Sequence, residues 1–175
     1  MKEEEGGFTL LELMLVVLIL GLTSLFVLPR IVSFGSGDLK PTARRIAGLI
    51  EHLTRESSTT KQIYRLYFNL ENGAYWTAMR KERGPVGGPV VVEFVEMTDS
   101  MAARRLLPKG ISFEDVVTPQ QGKVKEKEAF MEFYPFGVER VSIHLKQGER
   151  QWTLVVNPLT GRTKVFDKYV DIDSR

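Results

Sequence analysis

The sequence predicts an α+β protein in which a long N-terminal helix, apolar in its first half and amphipathic in its second, packs on a mostly antiparallel β-sheet. Residues 8–28 form a long apolar run, and residues 39–53 carry apolar side chains at helical spacing. Beyond Thr60 the pattern changes to short alternating runs, and helices followed by consecutive strands are typical of the α+β order. The 175 residues, 43% hydrophobic and 26% charged, are enough for one domain behind the apolar segment.

The apolar run of residues 8–28 is long enough to cross a membrane. As a helix it would reach roughly 30 Å, the thickness of a bilayer core. Glu12 is the one charged residue in the run. A carboxylate inside a membrane helix costs about 2.5–3.5 kcal/mol on insertion scales, so its presence indicates a function. The local alternative is a capping box, in which Thr9 and Glu12 serve the start of their own helix.

A helix over about residues 38–60 is predicted next, as the second half of the long helix, with Asp38 as its N-cap and an apolar stripe facing a sheet. The dipeptide Asn72-Gly73 predicts a hairpin. A short helical turn is expected at 102–107 and a surface loop at 118–128. Strands are predicted at 63–70, 74–79, 90–95, 111–117, 130–136, 141–145, 152–156 and 163–166. Alternation within 141–145 places His144 on the polar face, where we expect it to be solvated.

Composition narrows the chemistry that the chain can perform. There are no cysteines, so disulfides and thiolate sites are excluded, and with only two histidines a zinc site would need unusual help from carboxylates. No metalloprotease, serine-hydrolase or phosphate-loop motif occurs. Asp167, Asp171 and Asp173 could suggest calcium, but their spacing fits no EF-hand loop and favours a solvated acidic tail. We expect no enzymatic activity, no metal and no other cofactor.

The residues around Glu12 resemble a known processing signal. The segment GFTLLEL at residues 7–13, behind a short polar leader, is similar to the type IV prepilin signature. In that family a membrane-embedded prepilin peptidase cuts after the glycine, here Gly7, and methylates the new N-terminal amine. The resemblance implies an N-methylated Phe8 at the mature N terminus. It also implies that Glu12 neutralises the Phe8 amine of a neighbouring subunit during assembly. The acidic leader departs from the family, whose leaders are often basic.

Two further residues resemble features of the same family. Gly21 and Pro29 are similar to its helix breakers, between which the helix can unwind inside the filament. The alternative for Pro29 is that it marks the exit from the membrane. The resemblance therefore implies three parts: a cleaved leader at 1–7, a transmembrane and assembly helix at 8–29, and a periplasmic pilin-like domain at 30–175.

Three segments of the soluble domain narrow the resemblance. LPKGI at 107–111, FYPFG at 133–137 and NPLTGR at 157–162 are similar to H-type minor pseudopilins of type II secretion and to related minor pilins. The second segment departs from the family in having Phe136 where Asp is common. The resemblance implies a single-pass protein of the bacterial inner membrane, extracted into a periplasmic pseudopilus. Its implied partners are prepilin peptidase, major and minor pseudopilins, the inner-membrane assembly platform, lipid and secreted cargo.

Two functions stay open at this point. The first is a structural subunit of the secretion pseudopilus, and the second is a minor pilin that binds DNA for uptake. Arg162 and Lys164 could contact nucleic acid, although two basic residues on a strand are most often a solvated face. Further basic residues could extend the patch only if folding gathers them; they are Arg80, Lys81, Arg83, Arg104 and Arg105. With a net charge of +2, the sequence does not favour a nucleic-acid partner.

Overall fold

A computed structural model describes residues 10–33, 38–84, 90–98 and 102–171, and of residues 24–33 the backbone alone. The chain divides into two units, residues 1–36 and residues 37–175. The predicted cleavage site lies outside the described residues.

In the described part of the first unit, helix α1 runs from Leu10 to Ser33. Its backbone stays helical through Gly21 and Pro29. Every large apolar side chain from Leu10 to Leu22 is at least 47% exposed. The predicted unwinding belongs to the assembled filament and stays a prediction. Where side chains are described, no helix combines the length and apolar character that a membrane span requires.

The second unit begins with helix α2, which runs from Leu39 to Thr60. The predicted N-cap is present, because the Asp38 side chain accepts a hydrogen bond from the Lys40 N–H at 3.5 Å. The helix ends where Lys61 adopts a left-handed conformation and donates its N–H to the Ser57 carbonyl. The predicted apolar stripe of α2 is buried, so this helix contributes directly to the core.

Eleven strands follow α2 in the described residues. In chain order they are β1 (Tyr64–Asn69), β2 (Ala74–Arg83), β3 (Val91–Glu96), β4 (Arg105–Leu106), β5 (Ser112–Thr118), β6 (Gly122–Val124), β7 (Glu128–Tyr134), β8 (Gly137–Val138), β9 (Ser142–Gln147), β10 (Arg150–Val156) and β11 (Thr163–Phe166). The first sheet has the order β3-β2-β1-β7-β8, with β4 paired to β2. The second sheet has the order β11-β10-β9-β5-β6. All of these pairings are antiparallel.

The core lies where α2 meets both sheets. The helix contacts β7 and β8 of the first sheet and β9, β10 and β11 of the second. Phe68 on β1 and Phe113 on β5 meet edge to face, with ring centroids 5.4 Å apart, and so join the two sheets. Leu66, Ile143 and Leu154 are completely buried. Burial of these apolar groups is the main stabilising contribution to the domain.

The α+β prediction is confirmed, but three of its details are wrong. The domain has two sheets rather than one, because β7 pairs with β1 while β5 pairs with β9. The expected helical turn at 102–107 contains strand β4, which is held to β2 and continued by a Leu107 N–H to Gly73 carbonyl bond of 2.9 Å. The expected loop at 118–128 contains β6, which forms a hairpin with β5 through Gly122 at φ +66°.

Candidate functional site

The predicted assembly residue Glu12 lies in the first turn of α1 and is exposed. A carboxylate at this end of a helix is favoured by the helix dipole. A Cβ built on Gly21 would meet nothing within 4 Å, so the isolated helix leaves that face open. Gly7 and Phe8 lie outside the described residues. Cleavage after Gly7 and pairing of the Phe8 amine with Glu12 therefore stay predictions.

Two adjacent turns of the second unit each present a large apolar side chain to solvent. Phe136, between β7 and β8, is 95% exposed, and Leu159, between β10 and β11, is 90% exposed. The turns touch, since the Val138 N–H donates to the Pro158 carbonyl at 3.3 Å. Single exposed apolar side chains are ordinary at a protein surface, whereas a contiguous patch of them marks a contact surface for a partner protein.

The turn that carries Leu159 is rigid and fixed to α2. The Asn157 side chain accepts from the N–H groups of Leu159 and Thr160 at 2.9 and 3.3 Å. Gly161 has φ +64°, and a Cβ there would lie only 2.8 Å from Cβ of Thr54 on the helix. Glycine is therefore required at this position both by its backbone conformation and by the close approach of the helix.

The prediction that His144 is solvated is wrong, because its side chain is completely buried. It lies on the outer face of β9, and the C-terminal segment covers that face. Its Nδ1 is 2.6 Å from Asp115 Oδ1, and its Nε2 is 3.0 Å from the Val170 carbonyl. The Tyr169 ring stacks on the imidazole with centroids 4.1 Å apart, and its hydroxyl donates to Asp115 Oδ2 at 3.1 Å. Lys123 Nζ lies 3.6 Å from the same carboxylate oxygen.

The buried Asp115–His144 pair holds the C-terminal segment against the second sheet. Both ring nitrogens of His144 are already engaged, and no nucleophile is placed against them among these contacts. Thr153 adds two hydrogen bonds to the same C-terminal segment. Its hydroxyl donates to the Lys168 carbonyl at 2.8 Å and accepts from the Val170 N–H at 2.9 Å. Local sequence patterns could not reveal this arrangement, since the partners of His144 lie 29 and 26 residues away.

A second polar cluster lies on the outer face of the first sheet. Arg65 donates through Nε to Glu132 at 3.0 Å, and its guanidinium lies over the rings of Phe94 and Phe130 at 3.7 and 4.1 Å. Burial opposes ionisation of Glu132, but hydrogen bonds from Tyr134 and Arg65 outweigh it and lower the pKa of this carboxyl group. Burial and the hydrogen bond to Glu132 raise the pKa of Tyr134 to about 12. The cluster therefore holds an ionised carboxylate in a fixed position.

Glu139 lies beside this cluster, and burial raises the pKa of its carboxyl group. Two carboxyl groups with opposite pKa shifts are what a general acid and base require. Here, however, Arg65, Tyr134 and Gln120 already donate hydrogen bonds to Glu132. Gln120 also donates to Glu139 at 2.5 Å. These hydrogen bonds connect β1 and β7 with the loops that carry Gln120 and Glu139.

The basic residues considered for nucleic acid lie in different parts of the fold. Arg162 and Lys164 are exposed at edge strand β11 of the second sheet. Arg80, Lys81 and Arg83 belong to β2 of the first sheet. Three of the further basic residues have carboxylate partners; the pairs are Arg80–Glu82, Arg83–Glu93 and Arg104–Glu96. The fold thus splits the proposed patch between two sheets and neutralises part of its charge.

The acidic C-terminal segment presents no metal site among the described residues. Asp167 and Asp171 are exposed, and Asp173 lies outside the described part of the chain. No group of three or more histidine, aspartate and glutamate side chains in the described ranges is arranged to hold a metal ion.

The second unit is thus an α+β fold in which one helix contacts two antiparallel sheets. Comparison with solved structures finds a similar fold in a minor pseudopilin. The chain is similar to the minor pseudopilin EpsH from the type 2 secretion system of Vibrio cholerae, with a TM-score of 0.56 and 12% sequence identity. The match covers 75% of this chain and 98% of that chain. No family model and no curated protein matches the sequence.

Proposed function

We propose that this chain is a minor pseudopilin, a structural subunit of a type II secretion pseudopilus. One observation carries the proposal: a single chain joins the GFTLLE segment at residues 7–12 to a domain with the fold of a minor pseudopilin. The segment by itself resembles the processing signal of all type IV pilin-like proteins. The fold by itself says nothing of processing. Together they favour a processed filament subunit.

In this proposal α1 is both the membrane anchor and the assembly helix. Prepilin peptidase removes residues 1–7 and methylates Phe8, and the helix holds the protein in the inner membrane with its domain in the periplasm. The exposed apolar surface of α1 in the single chain fits this role, because lipid or neighbouring helices would cover it. On entry into the filament, Glu12 pairs with a Phe8 amine, and two charges that are costly in an apolar environment become one ion pair.

The second unit has the properties of a scaffold in this proposal. Its Asp115–His144 and Arg65–Glu132 clusters are satisfied by internal hydrogen bonds, and its turns display Phe136 and Leu159 to solvent. Such a domain binds partners through its surface rather than transforming a substrate. We propose other pseudopilins and the inner-membrane assembly platform as its partners, and secreted cargo as a further one.

Processing is tested by expressing the full chain with and without an active prepilin peptidase and measuring intact mass in the membrane fraction. We expect loss of the seven leader residues and addition of one methyl group to Phe8. Gly7→Leu should block the cleavage, because the peptidase site must accept backbone without a bulky side chain. A full-length product in the presence of active peptidase contradicts the proposal.

Assembly is tested with Glu12→Ala, which should be cleaved normally but should recover much less of the partner pseudopilins from membranes. Leu13→Ala is the matched control, because it shortens a neighbouring side chain of α1 and leaves the charge in place. Normal recovery of partners by Glu12→Ala would mean that Glu12 serves only as a local cap.

DNA uptake is the competing function, and salt dependence separates it from secretion. Binding to DNA by phosphate neutralisation falls steeply with salt. We expect little binding of a short labelled duplex near physiological salt, and no difference for Arg162→Ala combined with Lys164→Ala. Tight binding that this double variant loses would favour the pilus function instead.

A further inference from the structure

A small pocket lies between α2 and strands β2 and β4 of the first sheet. Its volume is about 210 Å³. The lining residues are Arg44, Arg45, Gly48, Leu49, Tyr75 and Arg105. Three of these six residues carry a guanidinium group, so positive charge is concentrated around a small space.

The two helix arginines have no carboxylate to neutralise them among the described residues. Arg44 and Arg45 are exposed on α2, and neither takes part in any of the ion pairs found within 4.0 Å. Like charges gathered at one site repel each other, and an anion between them would remove that cost. The third guanidinium, of Arg105, comes from β4, which pairs with β2 so that Arg105 stands opposite Tyr75.

The floor of the pocket combines a hydroxyl donor with apolar surface. Tyr75 is only 2% exposed; burial raises the pKa of its hydroxyl, while the charges of Arg105 and Arg45 and a hydrogen bond from Arg45 to the hydroxyl oxygen oppose the rise. The phenol therefore stays protonated and can donate a hydrogen bond. Leu49 is buried beside it. At Gly48 the helix backbone faces open space, since a Cβ there would meet nothing within 4 Å. A glycine inside a helix lowers stability by about 1 kcal/mol relative to alanine, so this open face reduces the stability of α2.

We infer that this pocket binds a single carboxylate side chain presented by a neighbouring pseudopilin subunit, an inference that rests on the proposed function. Guanidinium groups bind carboxylates through paired, charge-assisted hydrogen bonds, and the Tyr75 hydroxyl supplies a further donor. The apolar floor at Leu49 and Gly48 suits the methylene groups of a glutamate, which an inorganic phosphate lacks. The volume is below the roughly 300–1,000 Å³ of small-molecule sites, and so it suits one side chain rather than a nucleotide.

The pocket is tested directly with glutarate, which carries the glutamate side-chain carboxylate on a short methylene chain. We titrate glutarate into the full-length, isotope-labelled chain in detergent micelles and follow the Gly48 amide by NMR. Glutarate should shift this resonance in a saturable manner, and neutral glutaramide should not. Arg44→Gln combined with Arg45→Gln should raise the apparent Kd for glutarate at least about tenfold, since charge-assisted bonds are lost.

The control variant is Arg55→Gln, which removes the same charge from the same helix outside the pocket and should bind glutarate normally. Both arginines are exposed, so the double variant should keep the wild-type melting temperature. Equal binding of glutarate by the double variant and by Arg55→Gln overturns the inference. Stronger binding of inorganic phosphate than of glutarate also overturns the inference. Binding of a DNA duplex overturns it as well, if the double variant loses that binding and Arg55→Gln keeps it.

A second experiment separates this inference from the proposed function. In membranes with active prepilin peptidase, the double variant should be cleaved normally but should recover fewer partner pseudopilins than Arg55→Gln. Normal recovery would overturn the assembly role of the pocket even though cleavage stands. A failure of cleavage would instead contradict the pseudopilin proposal, while the glutarate titration would still report on the pocket's preference for a carboxylate.

Discussion

The two helices of this chain are similar in length and opposite in how they are stabilised. α1 has 24 residues, and its described large apolar side chains are all at least 47% exposed. α2 has 22 residues and buries nine of them, including Leu39, Ile46 and Ile50, which are completely inaccessible. α2 therefore completes its packing within one chain. A helix that is apolar on all sides needs surroundings that a single chain does not supply. The difference separates a helix that stabilises the domain from one whose apolar surface the domain leaves exposed.

The largest expected effect comes from truncating a matched apolar residue in each helix. Ile50→Ala should lower the free energy of unfolding of the domain by about 2–5 kcal/mol, because it opens a cavity in the core. Leu15→Ala should change it by no more than about 0.5 kcal/mol, because its side chain is half exposed in the single chain. Chemical denaturation of the full chain in detergent measures both values. Equal losses would mean that α1 is also part of the domain's folded core.

An intermediate effect is expected where the Asn157–Gly161 turn is fixed to α2. Gly161→Ala should destabilise the domain by about 1–3 kcal/mol from overpacking against Thr54, in addition to backbone strain. Gly148→Ala is the matched control, since Gly148 also has positive φ but has nothing within 4 Å of its Cβ position. The difference in melting temperature between the two variants isolates the destabilisation caused by overpacking against Thr54 from that caused by backbone strain. If they melt alike, the turn does not constrain α2.

The smallest expected effect on stability comes from the acidic residue at the start of each helix. Asp38→Ala should cost about 1 kcal/mol, because it removes the N-cap of α2. Glu12→Ala should leave the melting temperature of the domain unchanged, within the roughly 0.5 kcal/mol typical of exposed sites. The same denaturation assay reports both. A loss of domain stability from Glu12→Ala as large as that from Asp38→Ala would erase the distinction between the helices.

Local features of the fold are readable from the sequence because their causes are local. The stripe along residues 39–53 requires a helix with one buried face, Asp38 is a side chain that caps such a helix, and Asn72-Gly73 favours a tight hairpin. Most strands follow from alternation in the same way. The GFTLLEL segment at residues 7–13 also carries its resemblance without any tertiary information.

Features that depend on residues far apart in the sequence could be identified only from the tertiary structure. Alternation marks which residues share a face but not which strands pair, so the division into two sheets was not predictable. His144 lies on the face that its strand pattern marks as polar, yet Tyr169 and Val170 cover it. The arginine pocket likewise combines residues of α2 with Tyr75 and Arg105, which come together only when β2 and β4 pair. Burial and charge neutralisation are properties of the completed surface, and that surface exists only after distant segments have packed.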